Sequence, residues 1–260
     1  MSAEVLLVTR PDPRIAIVTI NRPSKRNACD RVVWTGLGTT FRALAKDGVR
    51  GAVLTGAGGH FSAGDDILDA TLARETPETT ASYAAAIAGA FDAITEVPFP
   101  IVAAIPGFCI GGALSLALCC DFRVGTPAAS LGIPAAKLGF VYPLVQCARL
   151  QALVGLSWAR RILFTGDRID GATAAEIGLL DTLTEGDSVA AALDVLAPML
   201  DSAPLTIAAT KRIFTALATA EPARHAPAIE ALLARIEASD DLREGALAFA
   251  EKRRPRFQGQ

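Results

Sequence analysis

The sequence predicts an α/β protein, with a largely parallel, covered sheet followed by a helical C-terminal region. Three observations carry that reading. The strand-like runs of the first half are continuously apolar, as strands buried on both faces are. They alternate with segments of helical spacing. After about residue 185 the strand signals stop, and Ala- and Leu-rich helical patterns take over.

Val5-Leu6-Leu7-Val8 and Ile15 to Ile20 are short apolar runs, with Pro11-Asp12-Pro13 between them as a turn. Residues 30–46 fit a helix with Asp30 as N-cap and Val33, Leu37, Phe41 and Leu44 on one face. Gly51-Ala52-Val53-Leu54-Thr55 reads as a buried strand, followed by the loop Gly56-Ala57-Gly58-Gly59. The segment 67–80, with Thr71, Arg74, Glu75, Thr76 and Pro77, is expected to be a mobile stretch beside a site. Residues 79–95 read as helix, Ile101 to Ile105 as buried strand, and 111–119 as helix. Beyond them, 187–200, 204–218, 226–238 and 240–252 predict the C-terminal helices. The expected division is a core over 1–185 and a helical region over 186–260.

Composition narrows the function. A chain of 260 residues fits one large domain or a domain with a small appendage. Lys+Arg is 25 against Asp+Glu 27, and no basic stripe stands out, so no nucleic-acid partner is expected. Hydrophobic residues make up 51%, too many for a disordered chain. Five cysteines form no CxxC pair, and no leader pattern opens the chain. Both point to a reduced, cytoplasmic protein without disulfides. Residues 101–120 carry no charge and match a membrane span in length. Pro106-Gly107 cuts that run, however, so it reads as a buried strand, turn and helix, with no membrane partner.

Common chemical motifs fail one by one. Gly56-Ala57-Gly58-Gly59-His60-Phe61 begins as GxGxxG but ends in Phe, and no GK[ST] occurs. His60 and His225 stand in different contexts, and Cys119-Cys120-Asp121 is contiguous, so no metal is expected. Ser115 lies in a helical pattern, not in GxSxG. Two glycine-bearing turns remain, Phe61 to Ile67 and Pro106 to Gly112. Each can present unpaired backbone N–H groups. Side by side they would make a two-donor oxyanion hole without any side chain; apart, they are only turns.

Five motifs, in order along nearly the whole chain, resemble the enoyl-CoA hydratase/isomerase family, the crotonase superfamily. Asn21-Arg22-Pro23-Ser24-Lys25-Arg26-Asn27-Ala28 resembles its "NRP…RNAL" signature, and Phe61-Ser62-Ala63-Gly64-Asp65-Asp66-Ile67 its "F-x-A-G-x-D-[IL]". Pro106-Gly107 through Leu116, then Cys120-Asp121-Phe122-Arg123, resembles "N-G-x-x-x-G-G-G-x-E-L…C-D-x-R". Gly166 to Leu180 and Phe249 to Phe257 resemble the two C-terminal signatures. The resemblance implies a crotonase-like ββα spiral with a helical C-terminal trimerisation region, assembled as a homotrimer or a dimer of trimers. It implies an acyl-CoA thioester as substrate, with coenzyme A part of that substrate and no cofactor bound permanently. The thioester oxygen would sit between the N–H groups of Asp65 and Gly112. Lys25, Arg26 and Lys252 become candidates for the CoA phosphates. Ala28, Ala63, Asp66 and Ile67 fall where the family wraps adenine and pantetheine.

The chain departs from the family at the acids. The two hydratase glutamate positions fall on Ser115 and Ala135, which line the acyl end, and the alternative aspartate position falls near Pro143. Hydration needs two coordinated proton movements, so it is not expected. The pocket floor would be Ser115, Ala135, Lys137, Phe140, Val141, Tyr142 and Pro143. Tyr142 can donate a proton to an enolate, or be an ordinary core tyrosine. The expected function is enolate chemistry without the glutamates: decarboxylation, thioester hydrolysis or C–C cleavage. A non-catalytic acyl-CoA binder or carrier is the second reading. Efficient hydration would require a carboxylate from elsewhere, with Asp65 or Glu75 the first candidates.

Overall fold

The computed structural model of the protein describes residues 4–219 and 221–260. β1 (Leu6–Asp12) and β2 (Ile15–Ile20) form an antiparallel hairpin. The turn expected at Pro11-Asp12-Pro13 comes later, because pairing runs on to Asp12 opposite Ile15 after an irregularity. β1 is an edge strand, where the missing N–H of Pro11 is tolerated. In α1 (Arg31–Leu44), the Asp30 carboxylate accepts from the Val33 N–H at 3.0 Å, as a helix cap should. Val33, Trp34, Leu37, Phe41 and Leu44 are buried along its inner face.

β3 (Gly51–Gly56) lies parallel to β2. The segment 67–80, expected to be a mobile stretch, contains regular structure. It holds α2 (Ile67–Leu72) and the first turn of α3 (Pro77–Glu96). Thr76 and Thr79 form a reciprocal capping box there, and Pro77 sits in the first turn, where its missing N–H costs nothing.

The uncharged run 101–120 divides into β4 (Ile101–Ile105), β5 (Phe108–Ile110) and α4 (Gly112–Leu118). Among the described residues no single helix is long and apolar enough to cross a membrane. Next come β6 (Phe122–Gly125), β7 (Ser130–Gly132), α5 (Ala135–Leu138) and α6 (Leu144–Thr165). β8 (Ile169–Asp170), α7 (Gly171–Glu176) and β9 (Thr182–Leu183) complete the strand-bearing part. The chain then continues through α8 (Ser188–Leu196), α9 (Pro204–Ala218), α10 (Pro222–Glu237) and α11 (Asp240–Ala250).

The main sheet has the order β1-β2-β3-β4-β6-β9 and is parallel from β2 onward. Both faces are covered. Ala52, Leu54, Ala103 and Ile105 pack toward Trp34, Leu37 and Phe41, while Val53, Val102, Ala104 and Val124 pack toward Ala192, Leu196 and Leu200. A polar residue at either set would forfeit about 1.5–3 kcal/mol of burial, which is why these strands are apolar without alternation. A second sheet, β5-β7-β8, was not evident from the sequence. Its strands are two or three residues long, too short to stand out as apolar runs. It nonetheless sets the position of both glycine turns.

Candidate active site

The two glycine turns are hydrogen-bonded to each other. The Ser62 N–H donates to the Phe108 carbonyl at 2.9 Å, and the Ile110 N–H to the Ser62 carbonyl at 3.2 Å. On its other side the first turn is tied to the "RNA" segment. The Cys29 N–H donates to Gly64 O at 2.7 Å, the Asp66 N–H to Cys29 O at 2.8 Å, and the Ser62 hydroxyl to Asn27 O at 2.7 Å. Gly64 has φ 93°, and a Cβ there would stand 2.4 Å from Ile110 O, so only glycine lets the loops close. The same point is 3.3 Å from the Gly112 nitrogen. Asp65 and Gly112 thus lie on abutting turns. Among the described residues neither of their N–H groups donates to another residue.

The Asp65 side chain turns inward. Its Oδ1 accepts from the Trp34 indole N–H at 3.1 Å and from the Tyr83 hydroxyl at 3.2 Å. A Cβ on Gly112 would stand 2.6 Å from Oδ2, so that oxygen faces the second turn. Burial holds the Asp65 carboxyl above the usual carboxylate range, with the two donors opposing. Trp34 and Tyr83 were not identified from the sequence. A buried Trp or Tyr needs an acceptor for its polar tip, and that was the available signal.

The Tyr142 hydroxyl lies 3.6 Å from where a Cβ on Gly111 would stand, and the Pro134 ring 4.0 Å from the same point. Ala135 follows, buried, at the start of α5. Ser115 is buried in α4, and its hydroxyl makes no hydrogen bond of ordinary distance and angle among the described residues, though it lies close enough to the Tyr142 phenol to influence it. Burial raises the Tyr142 phenol, the Asp65 charge adds to this, and the Ser115 hydroxyl opposes it. The fold thus gathers Asp65, Gly112, Ser115, Ala135 and Tyr142 around the second turn.

Other expected floor residues face outward to different degrees. Lys137 points outward into an ion pair with Asp167 at 2.6 Å, since a lysine at the end of a short surface helix gains by reaching water. Val141 is 87% exposed, and Phe140 is exposed while stacking on Tyr142.

The basic residues divide. Lys25 Nζ lies 3.0 Å and Arg22 Nη2 3.2 Å from Asp66 Oδ2. Burial would raise the Asp66 carboxyl, but Lys25 and Arg22 outweigh it and hold it below the usual range. Arg26, with φ 50°, places its guanidinium 5.6 Å from the centre of the Phe108 ring. His60 stacks on the same ring at 4.4 Å, and its Nδ1 accepts from the Phe108 N–H. The Ala63 N–H donates to Arg26 O at 2.9 Å, and Ala28 O accepts from Arg22. Ile67 is exposed at the start of α2, and Glu75 is exposed between α2 and α3. Lys252 is exposed beyond α11. Among the described residues no group of three His, Cys, Asp or Glu could hold a metal ion.

Comparison with known proteins extends over the whole chain. The sequence profile of the enoyl-CoA hydratase/isomerase family matches residues 12–260. The human "Enoyl-CoA hydratase domain-containing protein 2, mitochondrial" is 31% identical, over 98% of this chain and 89% of that protein. The crystal structure of an enoyl-CoA hydratase/carnithine racemase from Magnetospirillum magneticum superposes with a TM-score of 0.88 at 30% identity, covering 100% of this chain and 97% of that one. The enoyl-CoA hydratase from Mycobacterium tuberculosis superposes with a TM-score of 0.82 at 32% identity, over 98% and 99%.

Proposed function

The chain belongs to the enoyl-CoA hydratase/isomerase family and carries its crotonase-like fold. On that premise we propose an acyl-CoA enzyme that stabilises a thioester enolate without the two glutamates of a hydratase. The observation that carries this is the pair of abutting turns whose N–H groups at Asp65 and Gly112 donate to no other residue among those described; the Asp65 N–H meets only its own carboxylate. A thioester oxygen seated there gains charge as the enolate forms, and each donor aimed at that charge is worth typically about 3 kcal/mol. Both N–H groups belong to the backbone, held by the bonds between Ser62 and β5, so they need little reorganisation when the charge develops.

The remaining roles follow the chemistry of each position. Lys25, Arg26 and Lys252 take the CoA phosphates. Lys25 already spans to Asp66, but half of its side chain stays exposed and can swing to a phosphate. Ala28, Ala63, Asp66 and Ile67 line the adenine and pantetheine. Ser115 and Ala135 line the acyl end, where they leave room but no carboxylate. The Tyr142 phenol, too weak an acid to ionise at neutral pH, stays a proton donor to the enolate. The chemistry is decarboxylation, thioester hydrolysis or C–C cleavage. A homotrimer or a dimer of trimers is part of the same proposal. Exposed Phe214 and Leu217 on α9, and Leu247 and Phe249 on α11, support it, with Phe249 88% exposed.

Calorimetry with a panel of CoA thioesters tests the reading. Acyl-CoA should bind with micromolar affinity or better, and free CoA more weakly. No binding by any thioester would sink it. Each carboxylate contributes about 10²–10⁴-fold to such proton transfers. Crotonyl-CoA hydration should therefore run several orders of magnitude below that of a two-glutamate relative, and efficient hydration would overturn the assignment. The small residues at 115 and 135 also favour a second reading, a binder without turnover. Tyr142→Phe separates the two: it slows a true reaction with little change in affinity, and in a binder it changes nothing beyond affinity.

A further inference from the structure

We propose that the carboxylate of Asp65 is the base that removes the α-proton of the bound acyl thioester, replacing the absent glutamates. The inference rests on the preceding reading that the thioester oxygen sits between the two N–H groups. The acyl α-carbon is two bonds from an oxygen seated there.

The two oxygens of Asp65 have different tasks. Oδ1 is occupied by Trp34 and Tyr83, from α1 and α3. The indole N–H can only donate, so Oδ1 stays an acceptor and the plane of the carboxyl group is fixed. Oδ2 accepts from no other residue among the described residues, and it is the oxygen facing Gly112. A proton carried by Asp65 therefore sits on Oδ2, beside the oxyanion donors. A purely structural tie between α1 and α3 would need only Oδ1.

The groups that act on Asp65 are Tyr83 on α3, Trp34 on α1, its own backbone N–H and Arg74 beyond α2, while Tyr142 before α6 feels its charge. Arg74 is the one full charge among them, and its influence is the smallest. Burial dominates, so Asp65 is a stronger base than a surface aspartate and is better matched to moving a proton near neutral pH. Ser115 and Ala135 supply no competing carboxylate.

The step balances within the site. Oδ2 takes the proton from the α-carbon. The C–H electron pair becomes the C=C bond of the enolate, and the carbonyl pair moves onto the oxygen held by the Asp65 and Gly112 N–H groups. Return of the proton to the α-carbon restores the thioester. Delivery to the far end of a conjugated enolate instead moves a double bond. No oxidant or second substrate is required.

The test uses the full-length protein with butyryl-CoA in D₂O. Mass spectrometry follows deuterium entering the α-position, and calorimetry follows binding of the same compound. The wild type should exchange. Asp65→Asn keeps the shape and the acceptor for Trp34 and Tyr83, so exchange should fall by about 100-fold or more while affinity stays within about threefold. Asp65→Glu, which moves the carboxylate by one methylene, should retain more exchange than Asp65→Asn and serves if the latter does not fold. Binding without exchange in the wild type would overturn the role of Asp65 and leave acyl-CoA recognition standing. Equal exchange in wild type and variants would do the same. Absence of binding would overturn both readings.

Discussion

Asp65 and Asp66 are adjacent in sequence, yet their carboxyl groups meet different surroundings. Asp65 points inward to an indole N–H and a phenol, both neutral, and burial raises it. Asp66 points to the guanidinium of Arg22 and the ammonium of Lys25, which outweigh burial and lower it. The extended backbone of the turn sends successive side chains to opposite sides. In the proposed function one side is the acyl end, where a proton moves, and the other is the CoA side, where charge is held. Residue type alone says nothing of this division, and the neighbours decide it.

The largest effect should come from the Asp66 side. A lowered carboxyl contributes stability that is present above the ordinary aspartate pKa and lost as pH falls through the folded value. Asp66→Asn takes the carboxylate partner from Lys25 and one of two from Arg22, which keeps Asp30, and should cost about 1–3 kcal/mol at neutral pH. The gap to wild type should close in acid, as read by denaturant melts across pH. A constant gap would break the contrast.

Asp65 should behave with the opposite sign. Its raised carboxyl makes the ionised form unfavourable in the fold, a cost present above the folded pKa and absent below the ordinary aspartate value. Asp65→Asn should therefore raise the Tm at neutral pH, with the gain shrinking in acid. A lower Tm at neutral pH would mean that Asp65 is held for stability, not for chemistry.

The smallest effect sharpens the picture. Tyr83→Phe removes one of the two donors to Oδ1, at about 0.5–1.5 kcal/mol of stability. That donor favours the charged form, so without it the Asp65 carboxyl climbs further. The pH at which α-proton exchange is half-maximal should move upward. An unmoved midpoint would detach Tyr83 from the function of Asp65.

The sequence reveals one side of this comparison better than the other. The helix cap at Asp30, the broken apolar run at Pro106-Gly107 and the glycine turns are local patterns, and each falls where its chemistry places it. The substitutions at Ser115 and Ala135 are visible against the family signature. The Trp34 and Tyr83 bonds join residues 31 and 18 positions away from Asp65, and no local spacing announces them. The pairing of Ser62 with Phe108 depends on a strand of three residues, below the length at which periodicity can be read. The α2 helix and the capping box within 67–80 were not legible, because threonines that favour loops also cap helices.

In the proposed function the Asp65 and Gly112 N–H groups hold the thioester oxygen. Infrared difference spectroscopy with butyryl-CoA labelled by ¹³C at the carbonyl addresses it directly, because two hydrogen bonds weaken the C=O bond. The labelled carbonyl stretch should move to lower wavenumber on binding, in the wild type and in Asp65→Asn alike, since both keep the backbone donors. A carbonyl band that stays at its free-solution position in the bound complex would contradict it.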